Sequence, residues 1–353
     1  MIGAVVLALL VVAVVGVVGG TALWKRFHRT PLDEALHSVP AGSLRVGFTD
    51  WTVARRSLHA HLGQTPSDSQ ITAFMQKAYD SDFSAASSID ESAVALQKDF
   101  GFSPVNAQWE AYAQSRQGAT MVLKVADGTD FGTLAANLRT DGYKAPKKDD
   151  GVWNGGTDLV AGLDPTLTPE LQYVVLLKDQ GLVVTSDQAS YAATAAAVAR
   201  GDGGDLASSG KVDGLAAPLG EPANAMVWAG DFACGDLAMS QADTDSQGQA
   251  DALVKSAGGV TPLSGLAMAM QSSRTLRVVM GFQSGEDARR NLRPRAKLAV
   301  GDAIGRGGSF SDNFRLRLSK TDGSVVVLDL VPRQSTGYVL SDLYDGPVIF
   351  ATC

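Results

Sequence analysis

Apolar residues, nearly all Val, Ala, Leu and Gly, run through positions 1–24 without one charged side chain. At about 1.5 Å rise per residue, a helix of that length covers a bilayer hydrocarbon core of roughly 30 Å. The run predicts a transmembrane helix. Trp24 closes it where an interfacial aromatic belongs, and Lys25, Arg26 and Arg29 follow. A cleaved signal peptide would carry a shorter apolar core of about 7–15 residues behind a basic n-region. Here nothing basic precedes the run, and Gly20-Thr21-Ala22 is only a weak cleavage site. No cysteine lies near its end, so a lipoprotein anchor is excluded. The missing basic n-region is also what a start codon upstream of Met1 would explain.

Beyond the anchor the pattern shortens. A connector over 25–42 holds Pro31 and Pro40, with Leu32, Ala35, Leu36 and Val39 at helical spacing. Alternation over 44–48 predicts a strand, followed by helices over 51–62 and 70–79. Helical spacing also fills 92–100 and 106–115. A strand over 119–125, a helix over 131–139 and a hairpin region over 142–156 come next, the last with turn chemistry at Lys148-Asp149-Asp150-Gly151. Strands over 172–178 and 182–185 precede an alanine-rich helix over 188–200, which ends in Gly201-Asp202-Gly203-Gly204.

From about residue 221 the order begins again. A strand over 223–229 leads to a helix over 249–257, two strands over 265–271 and 275–282, and a helix over 286–300. A strand pair over 314–319 and 324–331 and a final strand over 347–351 close the chain. Three junctions place Asp directly before an aromatic: Asp50-Trp51, Asp130-Phe131 and Asp231-Phe232. Asp at a helix start accepts hydrogen bonds from free first-turn amides, and the aromatic can fold back on a sheet. The pattern predicts an α+β protein: an N-terminal transmembrane helix, then two related halves, 43–204 and 220–353, each a mainly antiparallel sheet covered by helices.

The 353 residues carry a net charge of -7 and are 45% hydrophobic, so the body folds and presents no basic field for nucleic acid. The membrane side is contested. Lys25, Arg26 and Arg29 favour a cytoplasmic body by the positive-inside rule. Against this stand two cysteines, Cys234 and Cys353, an even number, in a Lys-poor body rich in Gly, Ala, Ser and Thr. A bridge between them would close a loop of more than a hundred residues. In the chain-entropy model that is worth on the order of 4–5 kcal/mol, and it places the body outside the cytoplasm.

Candidate chemistry is sparse. His28, His37, His59 and His61 all fall within the first 61 residues of the chain. In a helix over 51–62, positions 59 and 61 take opposite flanks and share no metal. The stretch from Gly204 through Gly210-Lys211-Val212 misses the phosphate-loop spacing and its hydroxyl, so no nucleotide is expected. Asp243, Asp245, Gln247 and Asp251 sit at calcium-loop positions, but Val254 stands where a bidentate Glu belongs, which leaves a weak calcium candidate. A solvated loop capping the next helix is the plainer reading. Arg289, Arg290, Arg293, Arg295 and Lys297 form a basic run suited to anionic lipid heads or acidic wall polymers. No cofactor is expected.

Leu32, Ala35, Val39-Pro40-Ala41, Phe48-Thr49-Asp50-Trp51 and the closing Gly346-Pro347-Val348-Ile349-Phe350-Ala351-Thr352-Cys353 carry a further likeness. On these residues the chain resembles uncharacterised membrane-anchored envelope proteins of high-GC Gram-positive bacteria, a family without an assigned activity. The resemblance implies a body facing outward at the cell envelope. The function expected is therefore a single-pass, extracytoplasmic binding module whose partners are the bilayer, through residues 1–24, and an envelope protein or anionic wall polymer. The alternatives are an envelope hydrolase or transferase built on a carboxylate site, and a cytosol-facing membrane scaffold.

Overall fold

Side chains that alternate with a period of two organise the molecule. In the strand Ala107–Ser115, Trp109, Ala111 and Ala113 enter one buried cluster while Glu110 and Tyr112 point the other way. The computed structural model describes residues 29–63, 65–237, 239, 242–334 and 338–353. The expected span over 1–24 lies outside the described residues, as do Lys25, Arg26 and His28. Among the described residues no helix is long and apolar enough to cross a membrane.

Eleven described strands form one sheet: β1 (Arg45–Asp50), β2 (Ala107–Ser115), β3 (Gly118–Val125), β4 (Val152–Asn154), β5 (Tyr173–Leu177), β6 (Leu182–Ser186), β7 (Asn224–Ala229), β8 (Gly265–Met270), β9 (Leu276–Gly281), β10 (Phe314–Asp322) and β11 (Val325–Pro332). Every neighbouring pair is antiparallel. The main helices are α1 (Pro31–Ser38), α2 (Trp51–Ser57), α3 (Asp68–Asp80), α4 (Phe131–Thr140), α5 (Thr157–Leu163), α6 (Ala189–Arg200), α7 (Phe232–Asp236), α8 (Thr244–Ala257), α9 (Gly285–Leu298) and α10 (Val339–Tyr344). The fold is α+β, a large antiparallel sheet covered by helices.

The two sheets expected from the sequence are fused. β1 bonds to β2 on one side and to β7 on the other, with Val46 opposite both Ala113 and Val227. Outward from this seam the order is β1-β2-β3-β6-β5-β4 one way and β7-β8-β9-β11-β10 the other. One face packs Trp51, Phe74, Phe100, Leu134, Trp228, Met268 and Leu328 beneath helices α2, α3, α4 and α9. The opposite face packs Val46, Phe48, Ala225 and Val227 beneath α1, α6 and the buried Leu206, Leu215 and Leu219. The edge strand β10 faces solvent with Arg315, Arg317 and Lys320, charges that discourage pairing with another chain.

Four expectations change. The segment 106–115 is a strand, because its alternation fits a central position between β1 and β3 and overrides alanine's helix preference. The close of the chain, 347–351, holds a single 3-10 turn at Ile349–Ala351, buried and bonded through the Val348 amide to Leu237 O at 2.7 Å. The helix expected over 51–62 stops at Ser57. The helix within the supposed connector 25–42 is part of the body, since Leu32, Ala35, Leu36 and Val39 are all within 1% of full burial.

Candidate functional site

The seam is crossed by residues 81–92, held down by side chains from both halves. β1 can accept this crossing because Gly47 has no side chain: a Cβ there would lie 2.5 Å from Ala86 O. Glu110, fully buried on β2, accepts the Ser88 amide and Trp51 Nε1, each at 2.8 Å. Burial lifts its carboxyl from the ordinary 4.5 to about 7, against those hydrogen bonds, which favour the charged form. From the other half, Asn224 Nδ2 donates to Asp82 O at 2.7 Å, and Tyr344 Oη donates to Ala85 O at 2.8 Å.

Asp82 completes the fastening. Its backbone is left-handed at φ 59°, which turns the carboxylate toward the start of α10. There it accepts the Leu340 amide at 2.6 Å and Ser341 Oγ at 2.9 Å. Burial raises the pKa of Asp82, as it does for Asp90 and Asp50. Asp90 borders a small cavity of 250 Å³ with Glu91 and Tyr79. Glu110 and Asp82 each engage both oxygens with amides, an indole or a hydroxyl. This suits fastening chain to chain, and it leaves neither group aimed at a substrate.

The residues singled out from sequence are dispersed. Asp243 is the N-cap of α8, accepting the Ser246 amide at 2.9 Å and Ser246 Oγ at 2.7 Å. Asp245, Gln247 and Asp251 lie within that helix, so they cannot wrap a cation as alternate residues of a loop do. No group of three or more metal-ligating side chains occurs among the described residues. The weak calcium candidate gives way to helix capping.

The basic run lies on α9 and is split by burial. Arg289, Arg290, Arg293 and Lys297 are exposed, whereas Arg295 is fully buried. Arg295 donates to Phe350 O at 2.8 Å, Thr352 O at 2.6 Å and Thr261 O at 2.6 Å, and burial lowers its pKa to about 9. It clamps the chain's end and leaves the proposed anionic-partner patch. Cys234 and Cys353 are bonded to each other, with Cα atoms 5.6 Å apart. His37 is held between Asp205, at 2.9 Å through Nδ1, and Asp33, at 3.8 Å through Nε2.

The helix expected to carry His59 and His61 ends before it reaches them. α2 ends at Ser57, and His59 takes a left-handed φ of 51°, so the chain turns instead of continuing as a helix. His59 and His61 then line one open cavity of 680 Å³ together with Arg55, Arg56, Leu62 and Val105. Arg55 Nη1 is fixed on Pro104 O at 2.7 Å, and burial lowers its pKa to about 10. No carboxylate lines this cavity. Asp50, whose carboxylate both guanidiniums influence, is buried and caps α2 through the Val53 amide at 2.8 Å. Arg55 and Arg56 in a last helical turn, followed by two histidines, were the available signal. No Gly or Pro before Gly63 marked the helix end.

No family model matches this chain, and no curated protein matches it. Among solved structures, it is similar to crystal form I of TP0453, with 7% identity and a TM-score of 0.37 over 88% of this chain and 96% of that one. Crystal form III of TP0453 gives 8% identity and a TM-score of 0.35 over 88% and 97%. A likeness this distant says nothing about what the chain does.

Proposed function

We propose that this chain is a single-pass membrane protein whose twice-built α+β body works outside the cytoplasm as a binding module at the cell envelope. The pairing of its only two cysteines carries the reading, because a long-range disulfide persists where thiols are not kept reduced. The shared outward order of strands from the β1–β7 seam supports an internal duplication. The tether itself rests on the uncharged apolar run over 1–24. The buried Glu110 and Asp82 are occupied in fastening residues 81–92, which favours a rigid presenting scaffold over a hydrolase. The reading is tested by expressing the full chain, washing membranes with alkaline carbonate and measuring the intact mass of what remains. Retention of the protein with residues 1–24 still attached is expected. A soluble protein lacking them would overturn the tether.

A further inference from the structure

The point where the chain enters the body and the basic cavity lie at one end of the sheet. β1 ends at Asp50, which pairs with Trp109 near the start of β2. Trp109 pairs in turn with Lys124 at the end of β3, and Lys124 with Leu182 at the start of β6. The N-terminal half of α1 sits at this same end: Glu34 accepts Lys124 Nζ at 3.3 Å and Trp109 Nε1 at 3.4 Å. The chain then runs to the opposite end of the sheet, where Leu44, directly ahead of β1, bonds to Gln114 O. Thr30, the N-cap of α1, therefore lies at the end of the sheet that holds Trp109 and Lys124.

α2 starts at Trp51 from that end on the other face of the sheet, and Arg55 reaches Pro104, just ahead of β2. The cavity of Arg55, Arg56, His59 and His61 thus opens at the end where the chain arrives. From Trp24 to Thr30 there are six residue steps, which span at most about 20 Å even when fully extended. A helix over 1–24 would hold this end of the sheet within that distance of the headgroups.

Two arginines, two histidines and no carboxylate among the described lining make a donor set for an oxyanion, and a guanidinium fork such as that of Arg55, held on Pro104 O, suits phosphate in particular. The chain carries a net charge of -7, so such a concentration of cationic and donor groups in one cavity runs against its average. We propose that this cavity binds the phosphate of an anionic lipid headgroup and so fixes the tilt of the body on its own membrane. The inference rests on the tether proposed above.

The test uses the full chain reconstituted in vesicles of phosphatidylglycerol or of phosphatidylcholine, with diethyl pyrocarbonate modification of His59 and His61 read by mass spectrometry. Modification several-fold slower in phosphatidylglycerol is expected, and Arg56→Gln, at an exposed position, should remove most of that difference. Equal rates in both lipids, with the protein floating with both kinds of vesicle, would overturn the lipid site while leaving the tether standing. Failure to float with either would instead overturn the tether. Millimolar inorganic phosphate added to the phosphatidylcholine sample is expected to slow modification only weakly. Protection by phosphate equal to that by phosphatidylglycerol would make the ligand a soluble phosphate and contradict the headgroup assignment.

Discussion

The strands on either side of the seam, β1 and β7, each run into an Asp–aromatic pair, and the two pairs behave differently. After β1, Asp50 caps α2 through the Val53 amide and Trp51 is fully buried, its indole bonded to Glu110. After β7, Asp231 makes no side-chain cap and Phe232 is half-buried. There the work passes to other groups: Trp228 Nε1 donates to Asp236 at 2.6 Å, and Cys234 ties α7 to the chain's end. One half closes its first helix with a buried acid and an indole, the other with a covalent bond and the buried Arg295 behind it. Two junctions with the same residue pattern need not keep the same chemistry. What they share is the need to satisfy a helix start beside the central strands.

Breaking the covalent side should cost most. Reduction, or Cys353→Ser, opens a loop with a sequence separation of 119. It should lower stability by about 4–5 kcal/mol, roughly 6–7 °C in Tm by calorimetry. On the other side, Glu110→Ala orphans the Ser88 amide and the Trp51 indole and should cost about 3 kcal/mol in urea unfolding.

Glu110 also gives its half a pH signature. Burial raises its carboxyl from 4.5 to about 7, so the folded state prefers the protonated acid. Its contribution is full below the ordinary value and is lost as pH rises through 7. Glu110→Gln keeps the shape but offers only one accepting oxygen, at every pH. The margin of the wild type over this variant should therefore be largest below about pH 4.5 and shrink as pH rises through 7. A margin that grows with pH would mean that Glu110 is held charged.

Smaller, and sharpest for the comparison, is a pair of alanine changes. Asp50→Ala should cost about 1–2 kcal/mol through the lost cap, and Asp231→Ala should stay within about 0.5 kcal/mol. Equal costs would show that the two junctions are secured alike.

Much of this plan was legible in the residues. Turn and alternation signals located most strands, and the two cysteines pointed to each other. The Asp–aromatic pairs announced helix starts, although only Asp50 and Asp130 proved to be side-chain caps. What failed was the assignment of short stretches whose state is set by distant neighbours. The segment Ala107–Ser115 has alanines that suit a helix, yet β1 and β3 flank it and impose a strand. The buried run at 347–351 offered no way to separate strand from turn, because a fully apolar stretch has no period. The basic cavity stayed hidden for a related reason: His59 and His61 meet in one cavity only because the helix stops early, and no Gly or Pro marks that stop.

The placement of the body outside the cytoplasm is most directly tested by thiol labelling of intact cells with a membrane-impermeant reagent, before and after an impermeant reductant. Neither cysteine should label at first, and both Cys234 and Cys353 should label once the bond is reduced from outside. Thiols that label only after lysis, with no reductant needed, would put the body in the cytoplasm and contradict the account.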